Sequence, residues 1–479
     1  MPDFINLRTL KPPSVETVTL AARQPLPAST STITISEDQE AGGSESGSTD
    51  GNGTVLAPID NGFGAWSFLV AAFFVEAIVW GFPNSFGVFL ASYLNDPRYA
   101  LQKDSSSLLP LVGTLSSGIM YCSGPVIHTL TGRRPYFRRP LLWFGTFLCW
   151  ASLFGASYAT KVNQLVVLQG VLYAVGGSFL YHPCISYMSE WFVARRGLAN
   201  GVMFAGTGAG GLLLPLILPP LLNKFGASST LRILSIAILC MLVPLLPFVK
   251  GRLPESRVHG PNSRATERTW MKNKVFWIVL IANTIQGFAY FIPIIWLPTF
   301  ATELHINSTE SSLAIALLNG GSVCGRVAMG VLSDRLDPWL LGSFTLLSTS
   351  LATFVLWGVL SRNLAGLLAY GLAYGGLAGG WSSLWTGFVR PIAKDDPTLS
   401  TYIFGLLMLS RGLGNIVSTP ISTSLSQGYP TDAMNGQTGF GVAGGRFEKM
   451  IIYVGTCFVG AAVVALAGWG MEKSRPRRT

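Results

Sequence analysis

Twelve apolar runs, each of roughly 20 residues, succeed one another from Trp66 to Met471. A run of that length crosses about 30 Å of hydrocarbon, where each backbone N–H and C=O must find a partner inside the protein. Runs of this kind fold as helices, because a helix satisfies its backbone within itself. They fall at about 65–94, 107–130, 139–160, 163–189, 197–222, 230–249, 274–302, 311–333, 338–360, 364–390, 399–424 and 450–471. The longest non-apolar break among them is Lys250–Lys274, which divides the runs into six and six. The predicted fold class is therefore all-α integral membrane, with twelve transmembrane helices in two six-helix halves. The expected segments are a disordered tail at 1–58, a first half at 59–249, a central loop at 250–273, a second half at 274–471 and a short tail at 472–479.

Composition agrees. Only 12% of the 479 residues are charged and 49% are hydrophobic, where a soluble domain has about 25% charge. The 54 glycines suit helices that pack closely in lipid. The formal net charge of +10 says little about nucleic acid, because basic residues gather in the cytoplasmic loops of membrane proteins. The 1–58 segment is rich in Ser, Thr, Pro, Gly and acids and cannot build a core. No charged start followed by a short apolar stretch appears in it, so no cleavable signal peptide is expected. The six cysteines all lie in apolar runs without metal-ligand spacing, so neither disulfides nor a metal site is predicted. Nothing resembles a phosphate-binding loop or a catalytic triad, and no cofactor or enzymatic activity is expected.

Lys and Arg set the orientation. With the N-terminus inside, inner segments hold about 23 basic residues and outer loops about 8. Both termini are expected in the cytoplasm of a multi-pass protein, at the plasma membrane or a vacuolar one. The sequon Asn307-Ser308-Thr309 then falls in an outer loop, where Asn307 can be glycosylated, whereas Asn52 lies in the inner tail.

Four stretches narrow the reading. "DNGFGAWSFLVAAFFVEAIVWGFPNSFGVFL" opens helix 1; "EWFVARRGLANGVMFAGTGAGG" joins helices 4 and 5; "NGGSVCGRVAMGVLSDRLD" lies in helix 8; "LSRGLGNIVSTPIS" lies in helix 11. Together they resemble the monocarboxylate transporter-like family of the major facilitators, in its fungal branch. The resemblance covers about residues 60–471. It implies the major facilitator fold, with substrate bound near the midplane between halves that rock in alternating access. Two departures stand out. Asn84 occupies the position where proton–lactate carriers of the family keep a lysine, and Ser322 the position where they keep an aspartate.

Arg326 lies about 15 residues into helix 8, roughly 22 Å from its outer end, too deep to snorkel easily. A charge there marks a functional site by default. The resemblance makes it the anchor for a substrate carboxylate, which a guanidinium grips through two parallel hydrogen bonds. Glu76, Trp80 and Asn84 form one stripe on helix 1 at i, i+4 and i+8. Trp80 matches a position where the family places an aromatic substrate contact. A carboxyl in hydrocarbon resists ionisation and a nearby arginine favours it, so Glu76 can take over proton coupling against Arg326 or Arg411. Arg411 reads equally as a second anion contact or as a tie between helices. Tyr374, Trp381, Tyr290 and Trp296 are further candidates for the cavity wall. His182, beside Pro183, reads as a packed side chain. The superfamily pattern makes Asp334 and Arg335 a latch on the inner gate, with Arg195 and Arg196 adding basic anchoring at the same end.

The expected function is secondary active transport of a small, monocarboxylate-like organic anion by alternating access, with coupling to protons left open. The alternative is a carrier of a bulkier metabolite, by riboflavin-like uptake or secondary-metabolite efflux. A non-transporting nutrient sensor is disfavoured by the short tail after Met471.

Overall fold

The computed structural model describes residues 56–254, 269–394, 396–427 and 438–474. The expected tail disorder at 1–58 falls outside the described residues up to position 55, as do most of the central loop and the last five positions.

Twelve helical crossings appear among the described residues, within a few residues of the apolar runs. We label them α1 (Gly62–Leu94), α2 (Ser105–Cys122 continued by Gly124–Arg133), α3 (Arg138–Ala156) and α4 (Val162–Trp191). α5 and α6 are the two arms of Arg196–Leu245. The second half holds α7 (Lys274–Glu303), α8 (Ser308–Ser333), α9 (Pro338–Leu360) and α10 (Leu364–Gly380 continued by Trp385–Ala393). It ends with α11 (Pro397–Leu425) and α12 (Glu448–Lys473).

The breaks have local causes. α2 is interrupted at Ser123, just before Gly124-Pro125, because proline lacks an N–H and clashes with the carbonyl four residues back. α5 passes into α6 through Gly226 at φ 73°, ψ 170°, a backbone state open almost only to glycine. The connection expected over 223–229 is thus helical on both sides of one glycine hinge. α4 contains a π-helical stretch at Val166–Leu172.

Seven described helices are singly long and apolar enough to cross a membrane, one of them being the joined α5–α6 stretch. The others are α2 and α10, which are interrupted, α3, which opens with Arg138-Arg139-Pro140, and α11. α11 is diluted by polar residues that it turns inward, among them Arg411, Asn415, Ser418 and Ser422.

Small residues let backbones touch within each half. On α5, Gly206 meets the Phe73 carbonyl and Glu76 Cβ of α1; on α8, Gly325 meets the Gly376 carbonyl of α10. Such close approach replaces the hydrophobic drive that helices lack in lipid. The two halves meet along α5–α8 and α2–α11. A Cβ at Gly201 would sit 3.1 Å from the Gly330 Cα, and one at Gly124 would sit 3.1 Å from the Gly405 Cα. Both seams are closed tightly near the Asp334 end of the bundle.

Candidate functional site

A small polar cavity lies between the halves. α1 supplies Trp80, α2 Tyr121, α4 Tyr181, α5 Phe204, α8 Arg326 and α11 Arg411, and the turn within α10 adds Ser382 and Trp385. It has room for about a water molecule and not for a metabolite, and the seams beside it are shut at the Asp334 end. Trp80 is 2% exposed. Its ring centroid lies 4.6 Å from that of Tyr121 and 5.5 Å from that of Tyr181. Among the described residues its indole N–H has no acceptor, an unusual state for a buried donor.

Two guanidinium groups face this aromatic wall. Arg326 donates through Nη1 to the Phe204 carbonyl of α5 and through Nε to the Gly379 carbonyl of α10, at 3.3 Å. Arg411 donates to Gln286 Oε1 at 3.2 Å and stacks over Tyr290, 4.0 Å from the ring centroid. Among the described residues, neither is within ion-pair distance of a carboxylate.

Glu76 is fully buried on α1, and neither carboxyl oxygen has a hydrogen-bond partner among the described residues. Arg326 is near enough to act on it electrostatically, yet the two form no ion pair. The structure therefore brings the expected acid and arginine into one region without joining them. Ser322, one turn before Arg326, packs against Gly379: a Cβ there would lie 2.9 Å from Ser322 Cβ.

Other expected residues lie elsewhere. Asn84 is exposed and donates to the Thr207 carbonyl at 3.2 Å, tying α1 to α5 beyond the cavity. Tyr374 does not line the cavity: it is fully buried in α10 and donates to the Tyr290 carbonyl at 2.9 Å, buttressing the wall from behind. Trp381 does the same through Asn283, at 2.9 Å. His182 is fully buried, with Nε2 at 3.1 Å from both Ser123 Oγ and the Met120 carbonyl. Asn307 is exposed at the N-cap of α8, where its side chain accepts from the Glu310 N–H at 2.9 Å.

At the opposite end Asp334 crosses between the halves. Its carboxylate accepts the N–H groups of Gly197 at 2.7 Å and Leu198 at 2.9 Å, in the first turn of α5. Arg335 is exposed, and so is Arg195; Arg196 is buried and donates to the Ser189 carbonyl at 3.0 Å. Of the expected pair, Asp334 makes the contact across the halves.

Sequence reasoning missed three features. The cavity aromatics Tyr121, Tyr181 and Trp385 were not singled out, because an all-round apolar helix gives no signal of which face turns inward. Arg138 and Glu190 form an ion pair with both side chains 2% exposed. Arg138 also lies 4.5 Å from the Tyr187 ring, and Glu190 accepts from the Leu253 N–H at 3.1 Å. Asp60 belongs to the quoted helix 1 motif, yet its partners were not foreseen: the N–H groups of Val193, Ala194 and Arg195, at 2.9–3.1 Å.

Known proteins match the chain in three ways. The family model described as Major Facilitator Superfamily matches residues 69–419. An MFS transporter of Aspergillus flavus, asaE, is 27% identical over 84% of this chain and 86% of its own. The aspyridones efflux protein apdF of Emericella nidulans is 24% identical over 77% of this chain and 73% of its own. The fujikurins efflux protein of Gibberella fujikuroi is 28% identical over 63% of each chain. Among solved structures, the proton:xylose symporter XylE bound to 6-bromo-6-deoxy-D-glucose superposes with a TM-score of 0.62. It shares 15% identity, covering 86% of this chain and 96% of the symporter, and so speaks for the fold. The helical architecture, the family match and these relatives agree: the chain is a transporter of the Major Facilitator Superfamily.

Proposed function

We propose that this protein exports a bulky, partly aromatic metabolite bearing an acidic group. The observation that carries the reading is a pair of guanidinium groups, Arg326 and Arg411, facing an aromatic wall with no carboxylate paired to either among the described residues. Such a wall suits a planar or extended apolar body, and the guanidinium groups suit its acidic end. Relatives named for efflux of fujikurins and of aspyridones support export of such a cargo over a small monocarboxylate. The departures at Asn84 and Ser322 point the same way.

Arg326 grips the anionic group, Trp80 and Arg411 shape the pocket, and Asp334 latches one end in the closed form. Glu76 is the proton-coupling group: its carboxyl is buried, unpartnered and within electrostatic reach of Arg326. Alternating access then requires the α5–α8 and α2–α11 seams to part. The Lys and Arg distribution supports cytoplasmic termini and an outer face for Asn307, where a glycan would sit.

The test uses purified protein in liposomes with two probes, 1-naphthoate and lactate. Quenching of tryptophan fluorescence by 1-naphthoate, weakened about 30-fold or more in Arg326→Ala, is expected. Counterflow of labelled lactate is expected to match protein-free vesicles. Lactate counterflow that Arg326→Ala abolishes would instead restore the monocarboxylate reading.

A further inference from the structure

α5 starts without a cap of its own. Arg195 holds the N-cap position and makes no side-chain bond to the first turn. By contrast α7, α8, α9, α10 and α11 each carry an Asn or Asp cap that accepts from their own first turn. An uncapped start leaves backbone donors to be met from elsewhere. A distant carboxylate meets two of them, Asp334 taking Gly197 and Leu198. A second, Asp60, takes the N–H groups of Val193, Ala194 and Arg195 in the connection just before the helix.

The two acids differ in where they are carried. Asp60 precedes α1 in the same half as α5, and its own N–H donates to the Trp191 carbonyl at 3.0 Å. Those contacts persist when the halves move. Asp334 comes from the other half and must leave when the seam parts. Asp60 also has φ 60°, a left-handed state that costs a non-glycine residue energy and persists only where its surroundings impose it. Its contacts bind the four-residue connection Phe192–Arg195 and so set the angle at which α5 begins.

We propose that Asp60 is a positioning residue for the gate: it holds the start of α5 so that the Gly197 and Leu198 amides meet Asp334 in register. Asp60 is the fixed member of a two-carboxylate clasp and Asp334 the movable one. Without Asp60 the connection is freer, ordering it costs more, and the closed form is less populated. The inference rests on reading Asp334 as a gate latch, and it is independent of the cargo.

The experiment reads the seam itself. Ser189 Oγ lies 3.5 Å from Thr401 Oγ1 across the halves at this end, and Ser189 is 7% exposed. In detergent-solubilised full-length protein with its native cysteines replaced, Ser189→Cys is alkylated by a water-soluble maleimide. Asp334→Asn is expected to raise the rate roughly tenfold, as loss of a charge-assisted bond predicts. Asp60→Asn should raise it by a similar factor. In the Asp334→Asn background, Asp60→Asn should add less than about twofold, because residues acting through one contact are not additive. Should Asp60→Asn fail to reach the membrane, Asp60→Glu, which keeps the charge and shifts its position, is read in the same cycle. An unchanged rate with Asp60 replaced, or the full effect persisting without Asp334, overturns the inference. An unchanged rate in Asp334→Asn overturns the latch reading beneath it.

Discussion

Two buried acid–arginine sets sit in this bundle, and they are built in opposite ways. Arg138 and Glu190 are joined, sandwiched by Tyr187 and the Leu253 N–H, with almost no exposure. Glu76 and Arg326 are near each other and kept apart: among the described residues the carboxyl has no partner, and the guanidinium is held by two backbone carbonyls. A joined pair has its charges compensated in place and can hold helices α3 and α4 together through every state. A separated pair keeps an acid and a cation ready for something else, a proton on one and an anion on the other. The difference teaches that burial alone does not mark a transport residue. What distinguishes the two sets is whether the charge is already answered.

The comparison breaks most visibly at the joined pair. Arg138→Met leaves Glu190 buried and uncompensated, and should cost about 3–5 kcal/mol of stability. Thermal unfolding in detergent would show it, and Arg138→Met combined with Glu190→Leu should recover most of the loss. If the single variant is as stable as the parent, the pair is not the structural tie described here. The separated set should respond in function more than in stability. Glu76→Gln keeps the shape and loses only the titrating proton, so unfolding should move by less than about 1 kcal/mol. The pH dependence of flux should flatten; a pH profile identical to the parent's sinks the coupling role.

A third, exposed pair gives the scale for both. Asp96 caps the short helix Pro97–Ala100 and meets Arg98 through Nη2 at 2.6 Å, with side chains 20% and 61% exposed. The Arg98 hydrogen bonds hold the Asp96 carboxyl below its ordinary range. A depressed carboxylate stabilises the fold above its unfolded pKa, and that contribution fades as the pH falls through the lower folded value. Solvent screening keeps it small, so Asp96→Asn should cost about 0.2–1 kcal/mol near neutral pH and nothing in strong acid. An acid-side melting series checks the sign.

Much of this was legible in the sequence. The apolar runs gave the helices to within a few residues, because hydrocarbon thickness imposes their length. Glu76 and Arg326 stood out because charge at that depth is rare. Glu190 and Arg138 stood out less, since both lie at helix ends where charge is ordinary, 52 residues apart. Their pairing depends on how α3 packs on α4, which periodicity does not encode. The same holds for Tyr374, which shares an inward-facing helix with the cavity wall and yet stands behind it. The sequence names the helix, and packing decides which of its aromatics meets the space between halves. Asp60 was visible as part of a motif but mute about its partners, because all three are backbone amides.

That last point has a consequence for anyone mapping the gate by mutagenesis. One jaw of the closure, on the α5 side, is written in main-chain N–H groups. Replacing the side chains of Val193, Ala194, Arg195 or Leu198 leaves every donor in place, so a scan of that segment should look silent around a working part of the machine. Its importance would surface where the N–H itself is removed, by an amide-to-ester exchange or a proline, where Gly197 gains a Cβ 2.6 Å from Asp334 Oδ1, or where one of the two distant carboxylates is changed.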